Sequence, residues 1–310
     1  MIRAKLSAWI ALARPPFHLV GVLPYALGSV LAWQQRGVFR WDCCAWGMVG
    51  VVLVMLATYY AGEYWDDAED SVGYALSASG RLPPSRFAGG SRVLQRGILP
   101  RRAALWASLA SLTLAVGVGL LLQLGYRTGP WTIPLGILGI VGGFFYSARP
   151  VRWVRSGAGE LWIAFCYGWL PVAVGYYLQA GSLAPLIHWL AVPIGLTIWN
   201  VILLNEFPDY AADLATGKAN LVVRLGRERA SWLYALASLG SWAGMLLSLR
   251  HGVPVRALWW YLPVLTLSLI LAVWVVRGRW QDRAALERLC AANLAVNLGT
   301  TAAYILAFVS

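Results

Sequence analysis

The feature that most constrains this chain is its succession of apolar runs. Nine of them, at approximately 15–34, 43–62, 103–125, 129–147, 160–181, 185–205, 230–249, 257–276 and 289–309, occupy most of its 310 residues. A run of about 20 apolar residues crosses a hydrocarbon core as an α-helix, whose backbone satisfies its own hydrogen bonds in lipid. With 59% hydrophobic and 12% charged residues, the chain is excluded from soluble globules, which carry roughly 25% charge, and from disordered tails. The expected fold class is all-α: a polytopic membrane protein, a bundle of about nine transmembrane helices forming one domain over residues 1–310.

The formal charge of +12 is not spread as a nucleic-acid footprint would be. Basic residues fall in short clusters between apolar runs, without zinc-finger spacing or a helix-turn-helix in a soluble segment, so the expected partners are membrane lipids and a phosphorylated substrate, not nucleic acid. If the nine runs alternate across a membrane, the N-terminus and the segments after the second, fourth, sixth and eighth runs hold 20 of the 25 Lys and Arg residues. Cytoplasmic segments carry that excess, which predicts a cytoplasmic N-terminus and an external C-terminus in a bacterial or archaeal-type cell membrane. The short stretch before Arg14-Pro15 reads as an interfacial lead-in to the first span and not as a signal peptide. Cys43, Cys44, Cys166 and Cys290 and the three histidines are scattered, in no zinc-binding spacing.

Acidic residues are distributed quite differently. Of 13, five lie between positions 63 and 70 and three between 206 and 213. The windows share one spacing, Glu63-x-x-Asp66-x-x-x-Asp70 and Glu206-x-x-Asp209-x-x-x-Asp213, each directly after an apolar run. Offsets of 0, 3 and 7 place three carboxylates on one face of a continuing helix, and the charge count puts both faces at the cytoplasmic mouth. Clustered carboxylate oxygens suit hard divalent cations, and magnesium leaves positions for substrate phosphate. All six acids are therefore candidate metal ligands, and a diphosphate is the candidate ligand between them. Glycine-rich segments follow each window: Arg81, Pro83, Pro84, Arg86, Gly89-Gly90-Ser91-Arg92 and Arg96 after the first, Gly217-Lys218-Ala219-Asn220 after the second. They offer backbone donors and cationic groups to an anion, with Arg92 and Lys218 foremost.

In these residues the chain resembles the UbiA superfamily of intramembrane aromatic prenyltransferases over nearly its whole length. Gly89-Gly-Ser-Arg-Val-Leu94, Ser156-Gly-Ala-Gly-Glu160, Asn205-Glu-Phe-Pro-Asp209 and Val223-Arg-Leu-Gly226 are most similar to its 1,4-dihydroxy-2-naphthoate polyprenyltransferase branch, which serves menaquinone biosynthesis. The resemblance implies a catalytic set of Asp66, Asp70, Asp209, Asp213 and Lys218, with Glu63, Arg92, Tyr146, Asn205 and Arg14 binding substrate. Gly62-Glu63 stands where the family has Asn-Asp, which lengthens one carboxylate and removes an amide.

The implied reaction is Mg2+-dependent transfer of a prenyl group from a polyprenyl diphosphate donor to an aromatic acceptor, with diphosphate released. Positive charge neutralises the departing diphosphate, an electron-rich ring carbon attacks the allylic cation, and loss of a proton restores the ring. Two alternatives fit parts of the pattern. A cation-coupled transporter would also use boundary carboxylates, but no carboxylate lies mid-span. Another lipid-diphosphate transferase, using CDP-activated lipids, would need a single long motif that is absent.

Overall fold

The computed structural model describes residues 2–80, 85, 87 and 89–310; Arg81, Pro83, Pro84 and Arg86 lie outside the described residues. The helices are α1 (Ile2–Ala13), α2 (Pro15–Arg36), α3 (Trp41–Trp65), α4 (Asp67–Ala78), α5 (Arg101–Gly125), α6 (Thr132–Ser147), α7 (Gly159–Ala180), α8 (Leu186–Ala215), α9 (Leu221–Leu225), α10 (Arg227–Arg250), α11 (Ala257–Val276) and α12 (Arg283–Val309). Their limits follow local chemistry. Pro15 occupies the first turn of α2 and Gly37, at φ 72°, closes its end. Asn220 and Asp282 cap α9 and α12 by accepting from Val223 N–H and Ala285 N–H, as short oxygen-bearing side chains do at helix starts.

Among the described residues, eight helices are long and apolar enough to cross a membrane; this is an integral membrane protein. The fourth apolar run becomes the shorter α6, of 16 residues, because Gly129-Pro130 before it forms part of a turn in place of a first helical turn. The lead-in to the first span is the helix α1, which buries Ala8 and Leu12 against Val93, Leu99 and Ala104. It ends at Arg14, in the left-handed region at φ 47°.

With lipid outside, close approach and internal polar bonds substitute for the hydrophobic effect between helices. Gly28 of α2 and Gly175 of α7 lie so close to the Val172 and Tyr25 carbonyls that a Cβ at either would overlap backbone. Ser29 donates to the Gly175 carbonyl at the same crossing. Deeper in the bundle, Asn200 of α8 donates to the Tyr234 carbonyl and Ser238, Tyr234 donates to Asn293, and Asn297 donates to Thr197. These bonds tie α8 to α10 and α12. Outward faces carry apolar residues such as Trp106, Trp232, Leu236 and Leu269.

A partly open cavity of ≈ 140 Å³ lies between α2, α3, α5, α6 and α7. Glycines line much of it, including Gly21, Gly47, Gly50, Gly139 and Gly143, with Met55, Thr58 and Tyr167. From Gly47 to Thr58 it follows α3 for about 16 Å at 1.5 Å per residue.

The helix crossing gives a direct test. Gly28→Leu should cost at least the ~1–3 kcal/mol typical of overpacking and remove the monodisperse peak in detergent size-exclusion chromatography. Gly117→Leu, where no atom lies within 4 Å of a built Cβ, should elute as the parent does.

Candidate active site

The two acidic windows meet at one end of the bundle, by slightly different local structures. In the first, α3 stops at Trp65 and α4 starts at Asp67, so the helix changes direction at Asp66 instead of continuing. Asp66 N–H still donates to the Gly62 carbonyl and Asp70 N–H to the Asp66 carbonyl, both at 2.9 Å. Those four-residue bonds preserve the shared face. In the second, α8 runs unbroken to Ala215 through Pro193 and Pro208, carrying Asn205, Glu206, Asp209 and Asp213.

The segment Gly89–Arg92 spans the gap. Gly89 N–H donates to Asp209 Oδ2 at 3.1 Å, while Ser91 donates from its N–H to Glu63 Oε1 at 2.9 Å and from its hydroxyl to Oε2 at 2.7 Å. Gly90, at φ 62°, passes so near Asp70 that a Cβ would overlap its carboxylate. Arg14 Nη2 adds a third donor to Glu63 at 3.0 Å. Glu63 thus has both oxygens engaged and no exposed side-chain surface; its partners are an arginine and a loop serine.

The remaining acids divide into engaged and available groups. Asp66 accepts from the Ser147 hydroxyl at 2.6 Å and from Arg152 at 2.9 Å. Glu69 is held by Arg152 at 3.0 Å and Arg155 at 3.3 Å. Asp213 accepts from Asn220 at 2.7 Å and pairs with Lys218 at 3.3 Å. Asp67 turns away toward Gln95 and Arg101. Among the described residues, Asp70 has no hydrogen-bond or ion-pair partner and Asp209 has only the Gly89 N–H. Tyr146, one residue before Ser147, is flanked by Glu206, Lys218, Glu160 and Asp66.

Sequence reasoning missed Arg152, Ser147 and Glu160. Arg152 reads as one more boundary charge, although its spacing from Arg155 offered a paired cationic face to the acids. Glu160, 1% exposed, accepts from Leu221 N–H at 2.7 Å and so fastens the start of α7 to α9. Arg92 is not drawn in: at φ 61°, its side chain makes no hydrogen bond or ion pair among the described residues.

Burial pushes the Asp70 carboxyl well above the usual carboxylate range, and Asp66, Glu63 and Asp209 push it further. At Lys218 burial opposes the charge, but Asp213, Asp66 and Asp209 outweigh it and raise the ammonium pKa. Among the described residues no three His, Cys, Asp or Glu side chains converge as a ready-made metal cage. Magnesium does not require one, since it takes one or two carboxylates and completes its shell with water and phosphate. Asp70 and Asp209, the least engaged oxygens, fit that need.

The model of the UbiA prenyltransferase family matches residues 22–297. The chain belongs to this family. It is an enzyme that transfers prenyl groups. It is similar to the 1,4-dihydroxy-2-naphthoate octaprenyltransferase of Escherichia coli K12, 26% identical over 86% of this chain and 83% of that one. It is also similar to the protein of the same name from Mycobacterium tuberculosis, 28% identical over 74% of each. The 2-carboxy-1,4-naphthoquinone phytyltransferase of Synechocystis is 25% identical over 90% of this chain and 85% of its own. Among solved structures, a UbiA homolog from Archaeoglobus fulgidus bound to DMAPP and Mg2+ shares the fold at TM-score 0.63 and 16% identity, covering 95% of this chain and 99% of its own. Apo UbiA homolog from Aeropyrum pernix K1 gives 0.67 and 15%, covering 93% and 97%.

The Asp70 environment sets a prediction for this prenyltransferase. A carboxyl whose folded pKa is raised destabilises the folded state in full above that pKa, less as pH falls through it, and not at all below the unfolded pKa. Asp70→Asn should therefore raise the melting temperature of the metal-free protein at neutral pH in detergent, while removing turnover.

Proposed function

We propose that this enzyme transfers a polyprenyl group from its allylic diphosphate to 1,4-dihydroxy-2-naphthoate, with Mg2+, in menaquinone biosynthesis. The observation that carries the reading is the convergence of Asp70 and Asp209 on the Gly89–Arg92 segment, by the Gly89 N–H at Asp209 and the close approach of Gly90 to Asp70, beside the Lys218 ammonium and above an apolar cavity. A diphosphate has a polar end and a long apolar tail, and these features match both. The names of the relatives support the naphthoate acceptor, and the metal in the Archaeoglobus protein supports Mg2+.

In this reading Asp70 and Asp209 hold the metal, with Asp66 and Asp213 supporting them through the shared helix faces. Bound there, Mg2+ supplies positive charge to the leaving diphosphate. Lys218 adds a fixed ammonium and the Gly89–Arg92 backbone lines the anion, so charge developing on the leaving group meets preorganised partners. The C1–O bond breaks with its electron pair leaving on diphosphate, a ring carbon bonds to C1, and that carbon loses a proton. Tyr146 presents an aromatic face to the allylic cation in a water-poor site. The tail enters from the bilayer into the glycine-lined cavity, the diphosphate stays at the cytoplasmic mouth, and the C-terminus lies outside.

The decisive experiment supplies purified protein with radiolabelled allylic diphosphate, Mg2+ and a panel of aromatic acceptors, with and without chelator. Product that needs Mg2+ and forms best on the naphthoate is expected. Binding of donor without product on any acceptor would overturn the proposal. Asp66→Asn and Asp209→Asn should each lower kcat by about 10²-fold or more without loss of membrane insertion. Asp67→Asn, off the shared face, should stay within several-fold of the parent; equal loss at Asp66 and Asp67 would undermine the role of the shared face.

A further inference from the structure

One polar cluster lies deeper than the Asp70–Asp209 convergence. Glu206 and Asn205 lie on α8 three and four residues before Asp209, hence about one turn, ~5.4 Å, deeper in the bundle. Glu160 reaches the same place from the start of α7, its carboxyl against that of Glu206, and Tyr146 borders both.

Three buried side-chain oxygens here take no bond from any group outside the cluster. Glu160 Oε2, Glu206 Oε2 and Asn205 Oδ1 have no hydrogen-bond partner among the described residues apart from the contact between the two carboxyls. Glu160 is 1% exposed, and its position is tightly determined: Leu221 N–H holds Oε1 at 2.7 Å, and the preceding Gly159 lies so close to the Trp153 carbonyl that a Cβ would clash. A buried acceptor left unpaired costs the protein its full desolvation penalty, of order 1–3 kcal/mol. A group of such acceptors is complementary to a ligand that brings O–H donors, and it disfavours one that turns a carboxylate toward it.

We infer that Glu160, Glu206 and Asn205 form the polar end of the acceptor site, receiving a hydroxyl group of the aromatic ring. The inference rests on the prenyl-transfer reading above and assigns Glu206 to the acceptor in place of the metal. A ring hydroxyl held there sits one helical turn from the diphosphate carboxylates, with the ring beside Tyr146 and within reach of the allylic carbon. Donation of its O–H to a carboxylate also enriches the ring in electrons, which favours attack on a cation. Specificity then follows from unpaired acceptors: a ring that carries a methyl ether in place of the hydroxyl leaves them unsatisfied.

The test compares 1,4-dihydroxy-2-naphthoate with its two monomethyl ethers in the full-length enzyme and in Glu160→Gln and Glu206→Gln. Binding of radiolabelled geranyl diphosphate with Mg2+ is measured in parallel by equilibrium dialysis. Expected are a rise of about 10-fold or more in KM for the diol in both variants, and loss of the wild-type preference for diol over at least one ether. Donor affinity should stay within about two-fold of the parent, since neither residue holds diphosphate. Glu160→Asp, which keeps the acceptor oxygens, should recover part of the diol preference, which a purely structural role would not predict. Unchanged diol preference in both Gln variants would overturn the inference, as would donor binding that weakens in step with turnover. Wild-type protein that binds donor but prenylates none of the rings would instead overturn the naphthoate reading, and this site with it.

Discussion

Glu63 has no exposed side-chain surface and accepts from Arg14 and twice from Ser91, so one carboxylate fastens three segments that are distant in sequence. Arg14 sits at the break between α1 and α2, Glu63 in the last turns of α3, and Ser91 in the segment that continues to Asp209. A buried charge is tolerable only when donors surround it, and here the donors come from the very segments that must be brought together. The compensation that makes the acid affordable is also the geometry of the mouth. Asp66 and Asp213 repeat the scheme with Arg152 and Ser147 in one case and Lys218 and Asn220 in the other.

Against that network, Asp70 stands out. It lies among carboxylates and lacks a donor among the described residues, so it is the place where a negative charge is least relieved. In the proposed reaction stability and activity pull in opposite directions at this position: the protein would be more comfortable without the charge, and a metal-bound diphosphate would need it. The surrounding bonds hold the neighbouring acids still while one of them remains free to react to what binds.

How much of this was legible in the sequence depended on whether the signal was local. Apolar runs read correctly as helices because lipid leaves a backbone few alternatives, and the matched 0, 3, 7 offsets marked both acidic faces because helix periodicity is a property of adjacent turns. The turn at Asp66 escaped notice since four-residue hydrogen bonds persist across it and keep the same face. Arg152 and Glu160 were harder. Arg152 resembles every other arginine at a membrane boundary until its contact with Asp66, 86 residues away, is known. Glu160 lies 61 residues from Leu221 and belongs to no spacing that names its partner. Glu63 belongs to the acidic face by spacing, and its bonds to Ser91 depend on a loop whose path no periodicity encodes.

The shortness of α6 carries one more consequence. Sixteen residues rise about 24 Å, against a hydrocarbon thickness of roughly 30 Å, and this same helix forms a wall of the glycine-lined cavity. Lipid beside α6 must thin by several ångströms or let headgroups sink to meet its ends. Such mismatch costs fractions of a kcal/mol per ångström, which makes membrane thickness a physical variable felt at one wall of the enzyme's interior. A thicker bilayer would tilt or compress that wall, and a thinner one would relax it.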